Sequence, residues 1–214
     1  MSGFSDYAEN KVSDAVRRGQ ALGAPATMYY GLFGASKGAR ANSTAYALND
    51  TIVVLLATAK YAFYKCTTAG TSAAAQPGTF LGVVGEAITD GSAVFTEQTA
   101  AISAGTFTEL TGTGYARVAV VASLANFSGT QGAGTTAVSS GSGGTQTNNG
   151  AITWPSPTGA WTTGSQAAVG VFWSDAATGG NMWEWGMMNA PKSINASDPA
   201  PAVSPGTLSW QIGG

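Results

Sequence analysis

Apolar and polar residues alternate in short runs along most of this chain, the period of a half-buried β-strand. Residues 27–33, 44–56, 61–68, 92–96, 115–121, 151–155, 168–173, 182–188 and 206–212 each read as strand, bounded by glycine, proline, asparagine or aspartate. Asp90-Gly91 signals a turn, and residues 175–181 turn 168–173 back onto 182–188 as a hairpin. Residues 5–18 depart from this period and predict the one helix. Ser5 or Asp6 caps it, Asp6 and Glu9 suit its start, Arg17 and Arg18 its end, and Gly19 stops it. Phe4, Ala8, Val12, Ala15 and Val16 share a face, so the helix should lie on its own domain or on a neighbouring subunit. Residues 129–150 carry almost no apolar side chain and read as a long mobile loop. Internal repeats, heptads and Gly-X-Y triplets are absent, which argues against a solenoid or a rod-like shaft.

Composition narrows the function. The 214 residues include no histidine, 9% are charged, and 30 are glycine. The commonest acid/base and metal-binding side chain is therefore missing, and a structural or binding role is expected rather than an enzyme. A net charge of −2 offers no basic field for nucleic acid or an anionic membrane. The single cysteine, Cys66, excludes an internal disulfide framework and reads as a half-buried strand residue. The N-terminus lacks the basic and apolar regions of a signal peptide, and the longest apolar stretch, 51–59, is too short to span a bilayer.

Few motifs carry chemistry. Gly31-Leu-Phe-Gly34-Ala-Ser-Lys37 has serine before lysine, the wrong order for a phosphate loop. Most carboxylates fall in turns, caps or exposed strand positions. Glu184 lies between Trp183 and Trp185, and a carboxylate among aromatics can bind sugar; strict alternation would turn it away from both rings. The group Trp154, Trp161, Phe172, Trp173, Trp183, Trp185 and Trp210 could form a sugar platform, or the core and subunit interface of a sandwich. Phe172-Trp173 puts one ring on each face of its strand, so both faces need a cover, and a partner subunit is a natural one.

The outer parts of the chain resemble a family of small tailed-phage virion proteins commonly labelled phage tail fiber protein. The matching stretches are Phe4-Ser-Asp-Tyr-Ala-Glu-Asn-Lys11, Ala24-Pro-Ala-Thr-Met-Tyr-Tyr-Gly-Leu-Phe33, Gly112-Thr-Gly-Tyr-Ala-Arg-Val-Ala-Val120 and Asn148-Asn-Gly-Ala-Ile-Thr-Trp-Pro155. Asp175-Ala-Ala-Thr-Gly-Gly-Asn-Met182 and Pro191-Lys-Ser-Ile-Asn195 continue the resemblance. Residues 44–53, 64–72 and 89–95 instead resemble a small β module of other phage structural proteins and, more distantly, a chitin-binding-like module. The tryptophan that usually opens such a module is missing near Arg40, and Phe95 stands where tryptophan is common.

The expectation is a mainly β protein: an N-terminal helix (1–19), then a jelly-roll-like β-sandwich (20–38 and 100–214) interrupted by a small inserted β module (39–99) that projects from it. The resemblance implies a virion component, made in the host cytoplasm without a signal peptide and displayed on the particle. The small size and missing shaft favour a capsid decoration or cement protein that clamps the major capsid protein and copies of itself as a homo-oligomer. The alternative is a tail fibre or receptor-binding protein that contacts host-surface glycans. No cofactor or metal, no nucleic acid and no membrane are expected. The candidate interface is Phe4, Val12, Val16, Phe172, Trp173, Trp183 and Trp185, chosen because interfaces favour aromatic and apolar side chains with few charges.

Overall fold

The computed structural model describes residues 2–129 and 145–210; most of the loop expected at 129–150, and the end of the strand expected at 206–212, lie outside them. The chain is mainly β, built of antiparallel sheets after one N-terminal helix, and arranged as a sandwich. The main sheet runs in the order Ser2–Phe4, Met182–Lys192, Ala167–Ser174, Thr27–Ala35, Val118–Val121, with Thr108–Glu109 also pairing with Thr27–Ala35. Ala167–Ser174 is central and buried at all eight positions. Its apolar run therefore needs cover on two faces, and the chain supplies both.

On one face Ala168, Val171 and Trp173 meet Tyr30, Leu32, Trp154, Trp161, Trp183 and Ile152. The short sheets Phe127–Ser128/Gln146–Asn148/Ser209–Trp210 and Ile152–Thr153/Ala202–Val203 belong to this side, with Trp210 and Val203 packed against the cluster. On the other face Val169 and Phe172 meet Phe33, Ala35, Trp185, Val53 and Phe63. Val53 and Phe63 come from the sheet Thr51–Leu55, Tyr61–Thr68, Ala93–Glu97, Ala87–Asp90. Their neighbours Ile52, Val54, Ala62 and Tyr64 point the other way, into a separate core with Phe80 and Phe95. The segment expected to project from the sandwich thus builds its own core and also covers the second face of the main sheet. The cover that the sequence reading left to a natural partner subunit is supplied on that face by the chain's own Val53 and Phe63.

The central pairing depends on two glycines. Gly31 faces Phe172 across the strand pair, and Gly170 faces Phe33. A Cβ at Gly31 would stand 2.4 Å from the Phe172 ring, and one at Gly170 would stand 2.0 Å from the Phe33 ring. Each phenylalanine lies across the bare backbone of the opposite glycine, so the two rings lock the register reciprocally.

One half-buried ion pair and one buried one fasten the loops. Arg117 grips Glu109 through Nε and Nη2 (2.9 and 2.7 Å) and donates through Nη1 to Ser174 Oγ and to the carbonyls of Ala176 and Gly179. That anchors the 175–181 turn, with the guanidinium 4.9 Å over the Phe172 ring. Arg40 pairs twice with the fully buried Asp90 and also meets the carbonyls of Ala73 and Ala75, tying the start of the smaller sheet's segment to its far turn.

The helix forms as the sequence predicts, over Asp6–Arg18, with Ser5 as N-cap and Gly19 left-handed at its end. Ala8 is buried, and Tyr7 meets Trp183 edge-on at 5.5 Å. Val16, assigned to the same apolar face, is 77% exposed. The strand expected over 44–56 is two strands, Ala45–Tyr46 and Thr51–Leu55, because Asn49 turns the chain at φ 71. Cys66 is fully buried rather than half-buried, and burial pushes its thiol up.

Gly170→Ala should therefore destabilise the protein by about 1–3 kcal/mol or more, because Phe33 is held by Phe63 and Phe107 and cannot swing aside. Gly78→Ala, where a Cβ meets nothing within 4 Å, should change stability by less than about 0.5 kcal/mol. Denaturant midpoints of the two variants check this; equal midpoints would contradict the reciprocal packing.

Candidate functional site

The tryptophan-rich hairpin lines a small cleft that contains a carboxylate. Along its ladder Val171 pairs with Gly186, Phe172 with Trp185, Trp173 with Glu184 and Ser174 with Met182. The register shifts between Trp173 and Ser174, leaving Trp183 as the extra residue of a β-bulge. Directly paired residues share a face, so Trp173 and Glu184 point the same way and Phe172 and Trp185 the other. The bulge brings Trp183 to the Trp173 side, where the two indoles stack 5.4 Å apart and 6° from parallel. Strict alternation, which turned Glu184 away from both neighbouring tryptophans, fails at this bulge. Glu184 sits beside Trp183 and opposite only Trp185, and its Oε2 accepts a 2.7 Å hydrogen bond from Trp173 Nε1.

Gly186 has no side chain to fill the space above it, and a small cleft opens there, lined by Tyr30, Val171, Trp173, Glu184, Leu208 and Trp210. Its volume is about 30 Å³, room for about two water molecules. The walls are mainly aromatic and aliphatic, with the carboxylate as the charged group. Among the described residues Glu184 accepts that single indole hydrogen bond and has no cation beside it. Burial raises its carboxyl from 4.5 to about 7, against the opposing pull of the Trp173 N–H. The Tyr30 phenol, 1% exposed, is raised as well, by burial first and then by the Glu184 charge, and its hydroxyl donates to Met28 Sδ at 3.8 Å.

Two other half-buried or buried acids, Glu97 and Glu86, are held by backbone amides. Glu97 accepts from Gly85 N and Thr99 N, and Glu86 accepts from Leu81 N, Gly82 N and the Tyr64 hydroxyl. Among the described residues no group of three or more Cys, Asp and Glu is placed to hold a metal ion, and no helix is long and apolar enough to cross a membrane.

The residues selected from sequence as an interface do not form one patch. Phe172 (2% exposed) and Trp185 (4%) belong to one core, Trp173 (8%) and Trp183 (4%) to the other, while Phe4 and Val12 are half-buried and Val16 stands alone in solvent. Tyr30 and Trp210, which complete the cleft, were not singled out together. The available signal was Gly186 at the end of Trp183-Glu-Trp-Gly186, since glycine inside a strand marks a bulge or an opening.

A carboxyl whose folded pKa lies above its unfolded value contributes stability that is fully present below about pH 4.5 and is lost as pH rises through about 7. Glu184→Gln should match the unaltered protein near pH 4.5 and melt at a higher temperature at pH 8. Parallel melting curves across that range would contradict the desolvated carboxylate.

A family model described as Podophage GP4 fiber I protein gp80 matches residues 85–211, more than half of the chain. No curated protein matches it.

Proposed function

The chain belongs to that podophage fibre family, and from this premise we propose that it serves as a fibre-type structural protein of the phage tail rather than as a capsid cement protein. The family match carries the reading. The molecule's packing supports it, because the capsid-clamp alternative needed a broad apolar face around Phe172, Trp173, Trp183 and Trp185. Those rings are 2–8% exposed and fill the chain's own cores. What remains apolar and exposed includes Val16, the short run Leu81, Val83 and Val84, and Val121 with Leu124.

In this reading the protein acts by presenting surface, not by catalysis. Its partners are neighbouring virion proteins and copies of itself, with host-surface glycan as the external target. The acidic balance, at −2, disfavours nucleic acid as a partner.

Virions lacking the protein should keep the heat resistance of the wild type and lose adsorption to host cells. Adsorption counts and DNA-release temperatures measured on the same preparations decide between the readings. Normal adsorption with DNA release at a lower temperature would restore the cement protein in place of the fibre.

A further inference from the structure

Glu184 is half-buried among aromatic rings, yet it accepts one hydrogen bond and has no cation beside it among the described residues. The buried pair Arg40–Asp90 and the half-buried pair Arg117–Glu109 are by contrast completed internally. Of the elements around Glu184, Ser2–Phe4 pairs Phe4 with it, Thr27–Ala35 carries the Tyr30 phenol, Ala167–Ser174 carries Val171 and the Trp173 indole that donates to it, and Leu208, Ser209 and Trp210 complete the lining. None of these can neutralise a carboxylate. A desolvated, uncompensated carboxylate is costly to keep, and a group that supplies a positive charge would remove that cost.

The dimensions narrow what that group can be. The space above Gly186 is about 30 Å³, too small for a sugar ring but wide enough for a primary ammonium, which is close to a water molecule in size. Leu208 and Trp210 give the cleft apolar walls, as suits an unbranched methylene stem carrying a charge at its tip. The whole chain is acidic, at −2, and complements a basic partner. We infer that the cleft above Gly186 is a docking point for a lysine side chain of a neighbouring virion protein, its stem against Leu208 and Trp210 and its ammonium on Glu184. This rests on the proposed place in the virion for the source of the lysine, and not for the chemistry of the cleft.

The probe for the cleft is n-butylamine, which has the stem and head group of lysine. The readout is the nitrogen-15 signal of the Trp173 indole, whose N–H lies on Glu184. At pH 8 the amine should shift that signal saturably, 1-butanol should not, and Glu184→Gln should abolish the response. In the unaltered protein the amine should also lower the midpoint of the titration reported by Trp173, by roughly one unit or more, since a nearby cation favours the ionised carboxylate. That measurement holds even if the variant fails to fold. No saturation, an equal response to butanol, or an unchanged midpoint would overturn the inference. So would stronger binding of glucosamine than of butylamine, which would make the cleft a sugar site.

A second arm identifies the source. Carbodiimide applied to intact virions activates carboxylates, and an amine in contact displaces the urea to leave an amide. Mass spectrometry should recover Glu184 joined to a lysine of another virion protein. Recovery of the Glu184 peptide only in unlinked form would overturn the lysine partner, and would do so whether or not virions lacking the protein adsorb.

Discussion

Two phenylalanine rings lying across two glycines hold the centre of this molecule. Phe172 covers Gly31 and Phe33 covers Gly170, so neither strand can slide without driving a ring into a side chain or leaving bare backbone uncovered. A slip of one residue would also exchange the faces of every neighbour, sending Trp173 and Val171 to the side of Val53 and Phe63. The register fixed by these four residues sets what each face must bury. Burial of one aromatic or large aliphatic side chain contributes about 1.5–3 kcal/mol, so the two faces together bind the remaining elements to the central strands. The C-terminal strands and the helix close one face, and the smaller sheet closes the other.

The sequence shows this architecture best where a single period governs a segment. The helix, its Ser5 and Gly19 caps and the run Tyr61–Thr68 fall where periodicity and cap chemistry put them. The apolar run 168–173 announces a strand covered on both faces, but not what covers it. That answer depends on Val53 and Phe63, more than 100 residues away in sequence, and alternation alone shows only that they point opposite to Ile52 and Tyr64. Pairing partners were hidden for the same reason: Ser2–Phe4 is short and pairs at one edge of the sheet, and Val118–Val121, which alternation does announce, carries no sign of the strand it joins. The small helix Thr99–Ser103 begins where Glu97 accepts the Thr99 amide, a contact with no periodic signature.

The candidate site was less legible because it arises from a break in period. One extra residue at Trp183 places Glu184 beside the indoles of Trp173 and Trp183, where uniform alternation separates it from its neighbouring tryptophans. The same bulge puts Trp183 and Trp185 into different cores, so of the two readings the sequence left open for the aromatic group, sugar platform or sandwich core, these rings follow the second. Tyr30 and Trp210 reach the cleft from strands distant in sequence, so their convergence on Glu184 belongs to the tertiary structure. The result is a virion protein of a fibre family whose large rings stabilise its own fold.

The central claim is that this self-covered, fibre-family subunit stands on the tail of the particle. An electron cryo-microscopy map of the intact virion, at a resolution that separates the main sheet from the smaller one, tests it most directly. The account predicts density for this fold attached at the tail, with its central tryptophans enclosed within each subunit. The same fold distributed over the head lattice, bridging major capsid subunits, would contradict it.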